Sequence, residues 1–512
     1  MTDYAKQLFP GAEPAAGLKE WCGLAVLALP TMLLGLDVTL LYLALPVLAL
    51  DLQPSNTQAL WIMDIYGFMI AGFLITMGTL GDRIGRRRLL MIGAAAFAVA
   101  SVVAAFATNA AMLIVARAAL GVAGATLMPS TLALISNMFK QPSQRGLAIG
   151  VWATMFALGM AAGPVVGGVL LDHFWWGAAF LVAVPVTGVL LVAAPLLLPE
   201  YRASHGGRLD LYSVVLSLGA IFALIYGIKE LAKAGVALVP ILVLGIGIAV
   251  LFLFIRRQHH LDEPLLDLRL FASRTFSAAL LVLLVGLIGV SGVMLLITQY
   301  LQLVSGLSPL AAGLWMGPPA LAMVSAGIAA PLIARYIRPG FVVAGALLLS
   351  ALGYFLLSQI DISASGLVIA VTGFSLVYLG LGVMAALGTD LVVSAAPAAK
   401  AGSASAMSEM VQELGVALGV AILGSLATLV YRANIGTPMS SELSAEAAAA
   451  MADSLWAATA VASQLPASFL EQAQVAFTVG INITAMAGGV SATGLAIMAA
   501  LSLKHVQVIE SP

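Results

Sequence analysis

Long apolar runs, set off by short charged or turn-forming breaks, fill the chain from Trp21 almost to its C-terminal end. A helix of about 20 such residues crosses a ~30 Å hydrocarbon layer. The other structure able to span a bilayer is a closed barrel, whose strands alternate polar and apolar residues; these runs do not alternate, so they read as helices. The breaks place helices near 20–49, 58–80, 88–107, 110–138, 145–171 and 176–198, then 210–231 and 237–255, then 275–303, 308–334, 340–358, 364–396, 400–432 and 473–502. The expected fold class is an all-α integral membrane protein with fourteen spans grouped as six, two and six. Its parts are an N-terminal tail (1–19), a six-helix bundle (20–198), a linker holding two extra helices (199–274), a second six-helix bundle (275–502) that includes a long loop at 433–472, and a short tail (503–512).

The breaks differ in charge. Lys6, Lys19, the Arg83 to Arg88 cluster, Lys140, Arg145, Arg202, Arg208, Arg256, Arg257, Arg269, Arg274, Arg335, Arg338, Lys400 and Lys504 fall in one alternating set. The other set holds only Lys229, Lys233 and Arg432. Cytoplasmic loops carry the excess of Lys and Arg, so both termini are expected in the cytoplasm and the 433–472 loop outside. The Ala-rich "SELSAEAAAAMADSLWAATAVASQL" within that loop predicts one or two short amphipathic helices at the membrane surface.

Composition agrees: 62% of residues are hydrophobic, 9% are charged, and mean hydropathy is +1.08. A net charge of −1 gives no reason to expect a nucleic-acid partner. Cys22 is alone and reads as apolar filler, so the fold rests on helix packing without a disulfide. The first apolar run is full length and ends in no small-residue cleavage pattern, so no removable signal peptide is expected.

One break is unusually dense. "GTLGDRIGRRRLL" (78–90) puts Asp82, Arg83, Arg86, Arg87 and Arg88 within seven positions. A topology anchor needs the arginines, but it needs neither the aspartate nor Gly78 and Gly85, which let backbones approach closely. Asp82 can accept hydrogen bonds from a neighbouring helix end or pair with an arginine. Aligning "GTLGDRIGR" (78–86) with "APLIARYIR" (330–338) sets Arg335 and Arg338 on Arg83 and Arg86, with Ala334 in place of Asp82, as two related halves would.

Gly78, Leu80, Gly81, Asp82, Arg83, Gly85, Arg86 and Arg87 follow the order G-x-L-[AG]-D-R-x-G-R-[RK], which resembles the loop 2–3 signature of the major facilitator superfamily. In that family the loop latches two halves together in the outward-facing state. "LDVTLLYLALP" (36–46) is similar to the first-helix motif of the fourteen-helix drug:proton antiporters, and "RAALGVAGA" (117–125) resembles their fourth-helix motif built on a membrane arginine. "GMAAGPVVGG" (159–168) resembles the fifth-helix motif of antiporters; Gly159, Gly163, Gly167 and Gly168 offer a small-residue face, and Pro164 removes a backbone donor mid-helix. Together these segments, which extend over nearly the whole chain, resemble multidrug pumps of the Qac and Smv type. The resemblance implies a multi-pass protein of the bacterial inner membrane that works as a monomer and exports quaternary ammonium compounds and dyes in exchange for protons.

Charge inside the spans bears on the same point. At about 1.5 Å per residue, Asp37 lies roughly 24 Å above Trp21, in the outer half of helix 1. Asp64 and Arg117 reach a similar depth from the outer ends of helices 2 and 4. Charges at that depth face a cavity or each other. Two arrangements fit: a proton and cation site made by all three, or a structural Asp37–Arg117 pair with Asp64 left facing water. Glu409 and Glu413 in "SEMVQELG" are one turn apart on one face of helix 13, about 12 and 18 Å from its cytoplasmic start. Asp390, near the inner end of helix 12, reads as an interfacial residue. Trp61, Tyr66, Trp152, Phe156 and Trp315 are candidates to line a cavity for aromatic cations, against the alternative that they pack or sit in the interfacial belt.

No phosphate-binding loop, soluble nucleotide domain or metal-ligand spacing is present, and the five histidines fall in loops, in the tail or at a helix end. The expectation is a secondary transporter, without enzymatic activity, cofactor or metal, that is driven by a proton gradient and moves small cationic drugs. Export of another metabolite by the same fold, or a membrane sensor, are the rival readings; an anionic solute would want buried cationic groups, and Arg117 is the only basic residue this reading puts inside the membrane.

Overall fold

The computed structural model describes residues 16–202, 210–234, 237–261, 264–396, 401–435 and 444–506. Among them, fourteen helices are long and apolar enough to cross a membrane. They are α1 (Leu18–Leu52), α2 (Asn56–Ile84), α3 (Arg86–Ala105), α4 (Ala110–Met138), α5 (Pro142–His173), α6 (Ala178–Leu197), α7 (Leu211–Ala234), α8 (Leu238–His260), α9 (Arg274–Val304), α10 (Pro309–Ile333), α11 (Pro339–Leu357), α12 (Ala364–Ser394), α13 (Ala401–Ile435) and α14 (Ala467–Ser502).

Local chemistry sets many of the boundaries. Ser55 and Gln58 cap α2 reciprocally, each side chain accepting from the other's backbone amide. Asn109 caps α4 and Ser308 caps α10, where Pro309 takes the first position and needs no hydrogen-bond partner. α2 stops at Gly85, whose φ of +112° suits glycine; the Glu200 carboxylate occupies the space a side chain there would need. α9 ends in a π-helical turn over Tyr300–Val304, within which Gln302 reaches the Leu43 carbonyl of α1 at 3.1 Å.

The packing repeats. In the first bundle α1 lies on α5, α4 and α6, α2 on α4, and α3 on α4 and α6; in the second, α9 lies on α13, α12 and α14, α10 on α12, and α11 on α12 and α14. Each contact has its counterpart eight helices on. The bundles meet along two seams, α2 with α13 and α5 with α10, which are themselves counterparts. A pseudo-two-fold relation between six-helix halves follows, as in transporters whose halves rock about a central site. The α10–α11 turn with Arg335 and Arg338 occupies the position of the α2–α3 turn with Asp82 and Arg86.

α7 and α8 stand outside this symmetry. α7 lays Ile225 and Phe222 into a cluster made by Phe68 of α2 and Ala417 and Ala421 of α13, so it spans one seam. α8 packs chiefly on α7 and exposes Leu238, Ile241, Leu242, Ile246 and Phe252, an apolar face suited to lipid.

The two ends of the molecule differ. At the end opposite the Arg83–Arg88 cluster the bundles touch: Asn56 donates to Thr428 at 2.6 Å, Gly168 meets the backbone of Pro309, and Gly313 meets that of Pro164. Among the described residues no hydrogen bond or ion pair joins the bundles at the basic end. The Ala-rich segment forms two short helices, Ala445–Asp453 and Leu455–Ala460, and they are docked into the protein. Met451, Leu455 and Trp456 are buried, the Met451 carbonyl accepts from Tyr431, and Asp453 accepts from the Asn56 amide and pairs with Arg432. Residues 436–443 of that loop lie outside the described residues.

Candidate functional site

Arg117 of α4 is the anchor of the intramembrane charges. Its guanidinium is 2% exposed, sits 2.7 Å from the Asp37 carboxylate of α1, donates from Nε to the Ile62 carbonyl of α2 at 3.2 Å, and lies over the Tyr66 ring at 4.5 Å. A salt bridge, a backbone acceptor and a π face together replace the water this cation has lost. Tyr66 and Arg117 thus tie α1, α2 and α4 at one depth.

Asp64 does not face water. It is buried, and its Oδ2 lies 2.7 Å from Nζ of Lys229 on α7. The Lys229 ammonium rests 3.9 Å above the Trp61 ring, and both side chains of the pair are fully enclosed. This overturns the placement of Lys229 in an outer loop and the expectation that Arg117 is the only basic group within the membrane: α7 continues to Ala234, so Lys229 lies more than a turn inside it. The sequence held a signal, because Lys229 stood in the set of breaks that should have been poor in positive charge.

Glu409 and Glu413 project from α13, 9% and 7% exposed, and have no hydrogen-bond or ion-pair partner among the described residues. Glu413 lies where α13 crosses α2: its carbonyl and Ala417 are the atoms nearest Gly67. It is also close enough to Asp37 for their charges to interact, which puts a carboxylate of the second bundle beside the charge cluster of the first. Glu409 couples to Glu413 and sits a turn nearer the basic end. Asp390 is exposed in the last two turns of α12 and joins none of these groups.

The five candidate aromatics divide. Tyr66 and Trp61 are part of the charge cluster. Trp152 is buried and donates to Thr131 at 3.0 Å, a contact between α5 and α4. Phe156 is half-buried on α5 and lends its backbone to the close approach of Gly35 on α1. Trp315 is 40% exposed and shares no ring contact with the cluster.

At the basic end Asp82 pairs with Arg86 at 2.7 Å, and Arg86 also donates to the Pro129 carbonyl of α4. Arg87 donates to the Leu198 carbonyl at 2.9 Å and its amide to Glu200. Every one of these contacts stays within the first bundle and its margin. Arg83 is exposed. Close approach is needed at Gly81 and Gly85 but not at Gly78, where an added methyl group would meet only Pro129 at an ordinary 3.9 Å. On α5, Gly159 and Gly163 meet the backbone of Met32 and the Thr39 side chain of α1, Gly167 meets Leu40, and Gly168 crosses the seam to α10. Pro164 leaves the Met160 carbonyl without its helical donor, and Thr39 supplies one at 3.0 Å.

The model of the Major Facilitator Superfamily matches residues 27–420. The chain belongs to that superfamily. Among curated relatives, the Multidrug efflux pump LfrA of Mycolicibacterium smegmatis is 44% identical over 91% of this chain and 93% of its own length. The Methyl viologen resistance protein SmvA of Salmonella typhimurium is 36% identical over 88% and 90%. Among solved structures, a bacterial homologue of the human lysosomal transporter Spinster, described as inward-facing and unoccupied, superposes with a TM-score of 0.67 at 16% identity over 98% of this chain and all of that one, a likeness of fold. The protein is a multi-pass membrane transporter of the secondary type and not an enzyme.

Proposed function

We propose that this transporter exports lipophilic cationic drugs, including quaternary ammonium antiseptics and dyes, across the bacterial inner membrane in exchange for protons. The observation that carries the reading is the imbalance of buried charge at the α2–α13 seam. Among the described residues the four carboxylates Asp37, Asp64, Glu409 and Glu413 are set against two buried cations, Arg117 and Lys229, so the cluster favours positive charge over an anion. In a poorly hydrated cavity an unmatched carboxylate is neutralised by a proton or by a cation, and a group that can take either exchanges one for the other. The efflux and resistance functions named for the two relatives support a drug-sized cargo.

With both termini in the cytoplasm, the closed end of the bundles faces outward and the basic end inward, so the conformation is inward-facing. Among the described residues the Asp82–Arg86 pair then has no partner in the second bundle, as expected of a latch that engages when the basic ends come together. Energy comes from the proton gradient and no cofactor takes part; the protein works as a monomer. The test is a resistance panel of cationic, neutral and anionic compounds in a pump-deficient bacterial host, joined to proton release from proteoliposomes on addition of drug. Resistance limited to cations, with release, is the expected result; resistance to anions alone, or transport without proton movement, would sink the reading.

A further inference from the structure

The two buried ion pairs of the cluster are built differently. Arg117 is held by a salt bridge, a backbone carbonyl and a tyrosine ring, so withdrawing Asp37 would still leave it partly satisfied. Lys229 and Asp64 are held to each other by a single 2.7 Å contact. Beyond that mutual contact, among the described residues no other residue hydrogen-bonds to either Asp64 oxygen or to the Lys229 ammonium, although all are enclosed. A buried pair recovers the cost of desolvation only when further hydrogen bonds complete both groups. This one is incomplete on both sides.

What does surround the Lys229 ammonium is a carboxylate on one side and the face of Trp61 on the other. An aromatic face joined to a carboxylate is a binding site for an organic cation, and the lysine fills it with a cation of its own. The tether is also made for release. Lysine's charge rides on a flexible four-carbon stem, and the helix that carries it is pinned elsewhere: Arg257 of α8 pairs with Asp210 at 2.9 Å and Gln258 donates to Ser213 at 2.8 Å. The ammonium can therefore move while α7 stays in place.

We propose that Lys229 is an exchangeable internal counter-ion, a tethered stand-in for substrate that occupies the Asp64–Trp61 subsite and yields it to a monovalent organic cation. This rests on the cation-export reading and adds to it a residue, a subsite and a role for α7. The lysine keeps Asp64 neutralised while the site is empty, and it sets a threshold that weakly attracted cations do not pass.

The experiment measures ethidium affinity by fluorescence anisotropy on detergent-purified, monodisperse full-length protein. Lys229→Met leaves Asp64 unmatched, and ethidium should bind about tenfold more tightly because it now supplies the missing charge. The gain should vanish in Asp64→Asn/Lys229→Met, which has no carboxylate to satisfy. Lys229→Arg, whose planar fork grips a carboxylate at two points, should bind about threefold more weakly than wild type, and it provides the readout should the methionine variant fail to fold. Unchanged affinity in Lys229→Met or in Lys229→Arg, or a gain that persists in the double variant, would overturn the proposal while leaving cation export standing. Failure of wild-type protein to bind ethidium at any concentration would remove both.

Discussion

The hydroxyl of Thr39 lies 3.0 Å from the Met160 carbonyl oxygen, the acceptor that Pro164, four residues further along α5, cannot serve. The proline that makes α5 bendable thus creates a vacancy that a neighbouring helix fills. Thr39→Val would leave a buried carbonyl unpaired, at a cost of about 1–3 kcal/mol. The thermal midpoint in detergent should fall, and Thr39→Ser should restore most of it; equal midpoints for all three proteins would show that water serves the carbonyl as well.

Asp37→Asn keeps an acceptor for the Arg117 guanidinium but removes the titratable group. Expression should persist while drug-driven proton release disappears. Asp64→Asn should chiefly impair cation efflux. Normal exchange by both variants, measured with a pH-sensitive dye inside proteoliposomes, would reduce the two carboxylates to structural partners.

Asp82→Asn weakens the pair with Arg86 at the α2–α3 turn. If the turn stabilises one of two global states, the variant should still bind cations, because the charge cluster lies at the opposite depth, yet its transport rate should drop. Loss of all dye binding or of membrane insertion would identify the turn as an architectural anchor only.

Glu409 and Glu413 are one turn apart, buried, and without hydrogen-bond or ion-pair partners among the described residues. A proton and a lipophilic cation compete for such a pair, and the titration belongs to both residues together. Dye affinity should rise with pH in wild type. The slope should flatten most in Glu413→Gln, which lies nearer Asp37, and less in Glu409→Gln. An unchanged pH profile in the double variant would exclude the pair from coupling.

Asp210 joins the ends of α7 and α8 outside the spans. Partial burial pushes its carboxyl up, but hydrogen bonds from Arg257 and from the Ser213 hydroxyl and amide, with the Arg257 charge, outweigh burial and hold it below the usual carboxylate range. A group lowered in the folded state stabilises it fully above the ordinary value of about 3.9 and loses that contribution as pH falls through the lowered one. Asp210→Asn should therefore melt earlier than wild type at neutral pH, and the gap should close in acid; a gap independent of pH would show that charge is not involved.

The number, order and grouping of the helices were legible in the sequence because each span carries its own hydropathy signal, complete within about 20 residues. The Asp37–Arg117 contact could be anticipated from depth alone, since two opposite charges in hydrocarbon have few other places to go. Depth failed for Lys229. The expected span at 210–231 already took in Lys229, yet the residue was counted with the loop charges, because what makes its turn habitable for an ammonium, Asp64 and Trp61, is distant in the chain. The 445–460 helices were expected from their alanines, but their docking was not, since it depends on Tyr431, Asn56 and Arg432 arriving from other elements.

Because α7 lies across the seam of α2 and α13 and has no counterpart at the seam of α5 and α10, the molecule presents two unlike flanks to the bilayer. One flank is walled by an extra helix that contacts both halves; at the other α5 and α10 meet directly, Gly168 against Pro309 and Gly313 against Pro164. The two seams are therefore unequally constrained: parting α2 from α13 must also shift a helix held by both, whereas parting α5 from α10 need not.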